Sequence, residues 1–253
     1  MISDHPPKSV LQAFVAAVRS ALGDELVAVY LYGTGAKGQW DRTLSDLDFM
    51  VVTRSETADL NLEIFSPIGE RYLARFPTLR NRVDAVYVGA ATLAAFRAGG
   101  SLVELVRDAP LRRRDDAALW IRTWYLVRED GLALYGPPPT DLIPLIPDAE
   151  FATALVRYVG EIKARFPTVT DPSLRAYLVL TAARALYHLS GGPNPDKAQA
   201  AQWVTRTEPA WSGLMAEAMR TRLSGGKIGF VDEPTLTAAA EFIAFVAGRV
   251  GAR

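Results

Sequence analysis

Apolar residues recur at Val10, Leu11, Phe14, Val15, Val18 and Leu22, the three-and-four spacing of one helix face, and the run stops at Gly23. The period then changes. Leu26-Val27-Ala28-Val29-Tyr30-Leu31-Tyr32 is continuous, β-branched and aromatic, and Gly33-Thr34-Gly35 cuts it off, which predicts a buried strand running into a turn. Second and third strands are expected at Leu47 to Thr53 and Val83 to Val88, with a helix between them over Glu56 to Phe76 that Pro67 kinks or splits. Beyond Val88 the strand signals fade to the weak Leu132-Ala133-Leu134-Tyr135, and the following Gly136-Pro137-Pro138-Pro139 is the expected linker. Helices are predicted over Asp148 to Phe166, from Asp171-Pro172 to Leu189, after Asn194-Pro195, from Pro209 to Leu223 and from Pro234 to Val250. Proline just inside a helix after an Asp or Asn cap is a recurrent start signal here. The expected fold class is therefore α+β, a small mixed-sheet domain over residues 1–136 followed by an all-helical bundle over 137–253.

Composition changes this picture mainly by exclusion. The chain has 253 residues, 49% of them hydrophobic, enough to bury a sizeable core. Its 28 basic side chains balance 28 acidic ones, so no global field favours a nucleic-acid backbone. Zero cysteines rule out disulfides, thiolate metal sites and a cysteine nucleophile, and two histidines are too few for a histidine-based zinc site. The opening residues lack the basic start and apolar core of a signal peptide, and no apolar run reaches the roughly 18 residues of a membrane span. A cytoplasmic monomer is expected, with no membrane or nucleic-acid partner.

The chemistry concentrates between the first two strands. Asp46 and Asp48 stand at i and i+2, so on a strand they share a face and can hold a hard cation between them. Gly33 and Gly35 allow backbone to approach a phosphate, and Thr34 adds a hydroxyl. Asp84 opens the third strand, where a buried acid needs a metal, an attacking hydroxyl or a cation such as Arg80 or Arg82 as its partner. Taken alone, an Asp-x-Asp is usually a solvated turn and a Gly-Thr-Gly only a turn. Together, in order and at strand boundaries, they point to a magnesium and triphosphate site for nucleotidyl transfer.

The Gly33-Thr34 turn, the Ser45-Asp46-x-Asp48 strand and the later Asp84 resemble the nucleotidyltransferase superfamily that includes DNA polymerase beta. The C-terminal half narrows the resemblance. Arg184-Ala185-Leu186-Tyr187, Gly191-Gly192, Lys197 and Trp203 are similar to the helical domain of streptomycin/spectinomycin adenylyltransferases, and the Gly131 to Pro138 junction resembles a segment of that family. The resemblance implies a nucleotidyltransferase domain joined to a helical domain, with ATP as co-substrate and magnesium, as two ions, as cofactor. It implies Asp46 and Asp48 as metal ligands, Asp84 as ligand and catalytic base, Gly33, Thr34 and Ser45 as nucleotide-binding residues, and Arg184 and Lys197 as cations for the phosphates. Tyr187 is expected in the core, and His188 on the surface without a role.

The sequence also departs from that family. Thr34 replaces the usual serine but keeps the hydroxyl, and Asp84 stands where the drug-modifying enzymes have glutamate. Between Gly89 and Leu119 there is no tryptophan for a drug contact, the nearest being Trp120 and Trp124. Arg165, Asp171 and Arg175 before Arg184 are a mixed set that does not attract a polycation. The expected activity is AMP transfer to a hydroxyl of a small, aminoglycoside-like acceptor. Two rivals are the same transfer to a protein or nucleic acid, which the neutral charge disfavours, and a non-catalytic nucleotide-binding module, which three costly acids disfavour. The cluster Arg112-Arg113-Arg114-Asp115-Asp116 is expected to be a solvated helix start.

Overall fold

Helix α1 (Lys8–Leu22) buries Val10, Leu11, Phe14, Ala17, Val18 and Leu22 on one side, as its spacing requires. The computed structural model describes residues 5–42, 45–106, 110–192 and 194–251. After α1 come β1 (Leu26–Tyr32), β2 (Leu47–Thr53), α2 (Ser66–Arg75) and β3 (Val83–Gly89). Next are α3 (Ala90–Ala94), β4 (Leu102–Val106), β5 (Arg112–Arg114), α4 (Ile121–Asp130), β6 (Leu132–Tyr135) and α5 (Pro139–Leu142). The strands form one mixed sheet in the order β5-β4-β3-β2-β1-β6, in which only β2 and β3 run parallel. That parallel pair needs a crossover, and α2 supplies it.

Odd-numbered residues of β1 and β2, Val29, Leu31, Phe49 and Val51, share one core cluster with the buried faces of α1 and α2. Phe14 of α1 stacks on Phe49 of β2 at 3.7 Å between ring centroids, and Tyr72 of α2 meets Phe14 edge-on at 5.3 Å. This three-ring contact ties both helices to the central strand.

Several expectations are corrected here. Pro67 does not kink a long helix; it sits in the first turn of α2, where its missing N–H costs nothing, after a short 3-10 turn over Leu62–Ile64. Strands β4 and β5 lie where strand signals had faded. β4 carries Glu104 in its middle, and β5 consists of three exposed arginines at the sheet edge, so neither shows apolar alternation. The segment Arg112–Arg114 is thus an edge strand and not a helix start.

The proline run is no loose linker. Gly136, at a φ of +85°, packs so closely on Val27 and Ala28 that a Cβ there would strike the Val27 carbonyl. The Tyr30 hydroxyl donates to the Pro137 carbonyl at 2.9 Å, and the Arg128 guanidinium donates to the carbonyls of Thr140 at 3.1 Å and Ile143 at 2.5 Å. These bonds attach the segment to the first unit, so the chain divides into Met1–Pro147 and Asp148–Arg253, later than the expected 136/137.

The second unit is helical, with α6 (Asp148–Arg165), α7 (Pro172–Leu189), α8 (Lys197–Thr207), α9 (Ser212–Leu223) and α10 (Glu233–Gly251). Asp171 caps α7 by accepting from the Leu174 N–H at 2.7 Å, with Pro172 in the first turn. Nearly every residue of α7 from Leu178 to Leu186 is buried, so it is the central helix, packed by α6, α8, α9 and α10. Helix α8 starts later than its proline suggested. Asp196 is the cap, and it forms a reciprocal box with Gln199 at 2.7 and 3.0 Å. Among the described residues no helix is long and apolar enough to cross a membrane.

Burial pushes the Tyr30 hydroxyl up to about 12, with the charge of Asp141 adding to it, and burial also raises Tyr72 and Tyr87. An acid that is harder to ionise when folded supports the fold fully below its unfolded value near 10 and loses that support as pH rises through its folded value. Denaturant midpoints measured at about pH 8 and about pH 11 should therefore fall on the alkaline side. The fall should be smaller in Tyr30→Phe, which at neutral pH loses about 1 kcal/mol with the Pro137 bond.

Candidate active site

Strands β2 and β3 are buried along their whole length except at the second residue of each, Asp48 and Asp84. Their register makes these two carboxylates direct partners, and Asp48 is in turn opposite Tyr32 at the end of β1. One half-buried row, Tyr32, Asp48 and Asp84, thus crosses one end of the three central strands β1, β2 and β3. Partners in register point to the same face, so the two acids stand side by side.

The glycine turn closes on this row. Gly33 has a φ of +68°, and a Cβ built on it would lie 2.5 Å from Oδ2 of Asp48. Only glycine lets the turn and the carboxylate occupy that space. Thr34 follows in the turn and its carbonyl accepts from the Gln39 N–H at 3.1 Å. Lys37, further along the turn, pairs with Asp130 at the end of α4 at 2.9 Å.

Asp46 lies just before β2. The segment leading to it closes on itself, because the Ser45 N–H donates to the Asp41 carbonyl at 2.9 Å and the Asp41 N–H donates to the Ser45 hydroxyl at 2.9 Å. Ser45 is buried. Its hydroxyl accepts from the backbone, and its own proton remains to be donated. The Arg82 guanidinium is bound to carbonyls of the same loop, Arg42 at 2.7 Å, Asp41 at 3.3 Å and Ser45.

Asp46, Asp48 and Asp84 offer hard carboxylate oxygens, a donor set that suits magnesium. Asp48 and Asp84 are paired by register and Asp46 is two residues from Asp48. Among the described residues no group of three or more His, Asp or Glu side chains is gathered tightly enough to hold a metal ion. The fit to magnesium thus rests on donor chemistry and on the β2/β3 register.

In the helical unit the Arg184 guanidinium of α7 donates from Nε to the Pro195 carbonyl at 2.9 Å and from one terminal nitrogen to Asn194 Oδ1 at 3.1 Å. Lys197 opens α8 and its ammonium lies 4.5 Å from the ring centre of Tyr177, on α7. Both cations therefore gather at the junction of α7 and α8. Tyr187 packs edge-on against Trp203 at 5.3 Å and lies under Gly192, where a Cβ would strike its ring. That contact agrees with a packing role. His188 is not on the surface as expected; it is half-buried and meets Phe151 edge-on at 4.8 Å.

The charged residues ahead of Arg184 are engaged within the helical unit. Asp171 caps α7, Glu161 pairs with Arg157 at 3.6 Å, and Arg175 donates to the carbonyls of Val169 and Phe230. Trp124 is fully buried with its indole bonded to the Ala117 carbonyl, and Trp120 lies against it, bonded to Asp116. Asp116 is held below the usual carboxylate range first by its hydrogen bond to Arg114.

Comparison with known proteins bears on the helical unit and on the fold. Residues 141–246 match the family described as the C-terminal domain of aminoglycoside adenylyltransferases. The fold is similar to that of a crystal structure of the spectinomycin adenyltransferase AAD(9) from Enterococcus faecialis with ATP and spectinomycin. That match has a TM-score of 0.76 at 15% sequence identity and covers 97% of this chain and 100% of the other. No curated protein matches the sequence.

The contact between turn and carboxylate generates a test. Gly33→Ala must displace Asp48 or distort the turn, so ATP binding measured by calorimetry should fall at least about tenfold, the size of a lost charge-assisted contact. Binding at the parental affinity would separate the turn from the site.

Proposed function

We propose that this chain, whose residues 141–246 match the C-terminal domain of aminoglycoside adenylyltransferases, moves AMP from ATP to a hydroxyl of a small aminoglycoside-like acceptor with the help of magnesium. The observation that carries this reading is the side-by-side placement of Asp48 and Asp84, the only half-buried residues of β2 and β3, with the Gly33 backbone against Asp48.

In the proposed reaction the acceptor hydroxyl oxygen attacks the α-phosphorus of ATP, and Asp84 takes the hydroxyl proton. A bond forms from that oxygen to the α-phosphorus. The bond from the α-phosphorus to the bridging oxygen breaks, and pyrophosphate leaves with the electron pair. Asp46 and Asp48, with Asp84 beside them, would hold magnesium, which supplies neutralisation of the triphosphate charge and in-line geometry. Thr34 and the Gly33 backbone would face the phosphates. Arg184 and Lys197, matching the family positions for phosphate contacts, would add positive charge, and Arg184→Ala should weaken ATP binding by about 1.5–3 kcal/mol.

Spectinomycin is the acceptor bound in the similar adenyltransferase, and it comes first in a panel of aminoglycosides incubated with labelled ATP and magnesium. Pyrophosphate release together with a mass gain of AMP on the acceptor is the expected result. Asp84→Asn should slow transfer by about 10²–10⁴-fold while ATP affinity stays near parental, because asparagine keeps the shape and loses the proton acceptor. Asp48→Asn should instead damage ATP binding. An Asp84→Asn enzyme with the parental rate would remove that residue from its role.

Streptomycin should be a poor acceptor. The carboxylates that would draw in a polycation are engaged as a helix cap and an ion pair, and both tryptophans near the third acid donate their indole N–H within the unit. Robust streptomycin adenylylation, with resistance conferred on a sensitive host, would overturn this part of the reading.

A further inference from the structure

Arg82 holds both sides of Asp46. Its guanidinium donates to the carbonyls of Asp41, Arg42 and Ser45, the residue just before Asp46. Its own carbonyl accepts from the N–H of Leu47, the residue just after, at 2.8 Å. The backbone of Arg82 is fixed in turn by its N–H, which donates to Leu79 at 3.0 Å, and by the start of β3 one residue later. Asp46 is therefore suspended between two points that belong to the same neighbour. That neighbour stands two residues before Asp84 on the same chain segment.

We infer that Arg82 is a positioning residue for the cation site, fixing the backbone that presents Asp46 at a set distance from Asp48 and Asp84. The inference rests on the reading of Asp46, Asp48 and Asp84 as the metal-binding set. Sequence alone offered Arg82 as a counter-charge for Asp84. The structure directs its hydrogen bonds elsewhere, to three backbone oxygens, and leaves its Nε buried without a hydrogen-bond partner. A guanidinium fork can serve several carbonyls from one fixed plane. A lysine, with a single compact ammonium, cannot.

The sign of the effect separates positioning from charge. On charge alone, removing a cation beside carboxylates strengthens their hold on a metal ion. Losing the support of a ligand weakens it, typically by about 10–100-fold. Arg82→Ala and Arg82→Lys should therefore both weaken metal binding by at least about tenfold, although one loses the charge and the other keeps it.

Binding is read directly from the electron paramagnetic resonance signal of free manganese, titrated with the full chain and a non-hydrolysable ATP analogue. Thermal unfolding of each variant is measured alongside. Weaker manganese binding in both variants, with magnesium at high concentration restoring most of the parental turnover, is the expected result. Tighter binding in Arg82→Ala with parental binding in Arg82→Lys would assign Arg82 a purely electrostatic part and overturn the inference. Parental manganese binding with a lowered melting temperature would overturn it too, leaving only a structural clamp. If Arg82→Ala fails to fold, Arg82→Lys and Arg82→Gln carry the same comparison. Parental protein that binds manganese no better than Asp48→Asn would instead sink the metal-site reading itself, and the inference with it.

Discussion

The parallel pairing of β2 with β3 is the constraint on which the rest of the first unit depends. A parallel neighbour demands a crossover, so α2 must leave one end of the sheet and return the chain to the other, and in doing so it covers the face that carries Phe49. The same pairing aligns the two strands in one direction, so their second residues fall in one row. Had the strands run antiparallel, Asp48 and Asp84 would lie at opposite ends. Fold and chemistry thus share one cause. The ring cluster of Phe14, Phe49 and Tyr72 holds both helices on β2, and the β2/β3 register sets two carboxylates beside each other.

Much of this was legible in the sequence where a single physical effect dominates. β1 and β2 are continuous β-branched or aromatic runs, and their limits, Leu26–Tyr32 and Leu47–Thr53, fall where the pattern puts them. Elements stabilised by partners were not legible. β5 has no apolar residue and exists because Arg113 pairs with Val103 across the edge and reaches the carbonyls of Thr57 and Leu60. The proline run resembles a flexible joint until Gly136 is seen pressed on Val27. Helix α8 illustrates a competition between two start signals, Asn194-Pro195 and Asp196. The aspartate becomes the cap because Gln199 completes the reciprocal box, while Asn194 accepts from Arg184.

At the site, period-two alternation leads to the expectation that Asp46 and Asp48 share one strand face, although β2 begins only at Leu47, and the glycine turn identified itself by composition. What sequence spacing could not convey is that Gly33 is there for Asp48. That relation links a turn to the next strand across a loop and appears only once the register is known. The part taken by Arg82 was equally hidden, since a basic residue near an acid suggests an ion pair and nothing in the one-dimensional pattern marks a carbonyl as its target. The resemblance implies a nucleotide contact for the serine before Asp46, and sequence gives no sign of its second, backbone partner. In this chain its hydroxyl accepts from the Asp41 N–H, and its carbonyl accepts from Arg82.

The sixth strand has a consequence for how the chain is made. β6 closes the free edge of β1, and the Tyr30 hydroxyl meets its acceptor 107 residues later. A ribosome adding roughly 5–20 residues per second leaves that edge unpaired for about 5–20 s. During this interval a row of bare N–H and carbonyl groups on Leu26–Tyr32, the most apolar strand, is open to any passing strand. The opposite edge, β5, is guarded by its arginines from the moment it pairs. The first is guarded by nothing until the segment through Pro137 has emerged. Nascent chains truncated within α4 should therefore depend on chaperones, and the proline run that looks like a joint is the latch that ends that dependence.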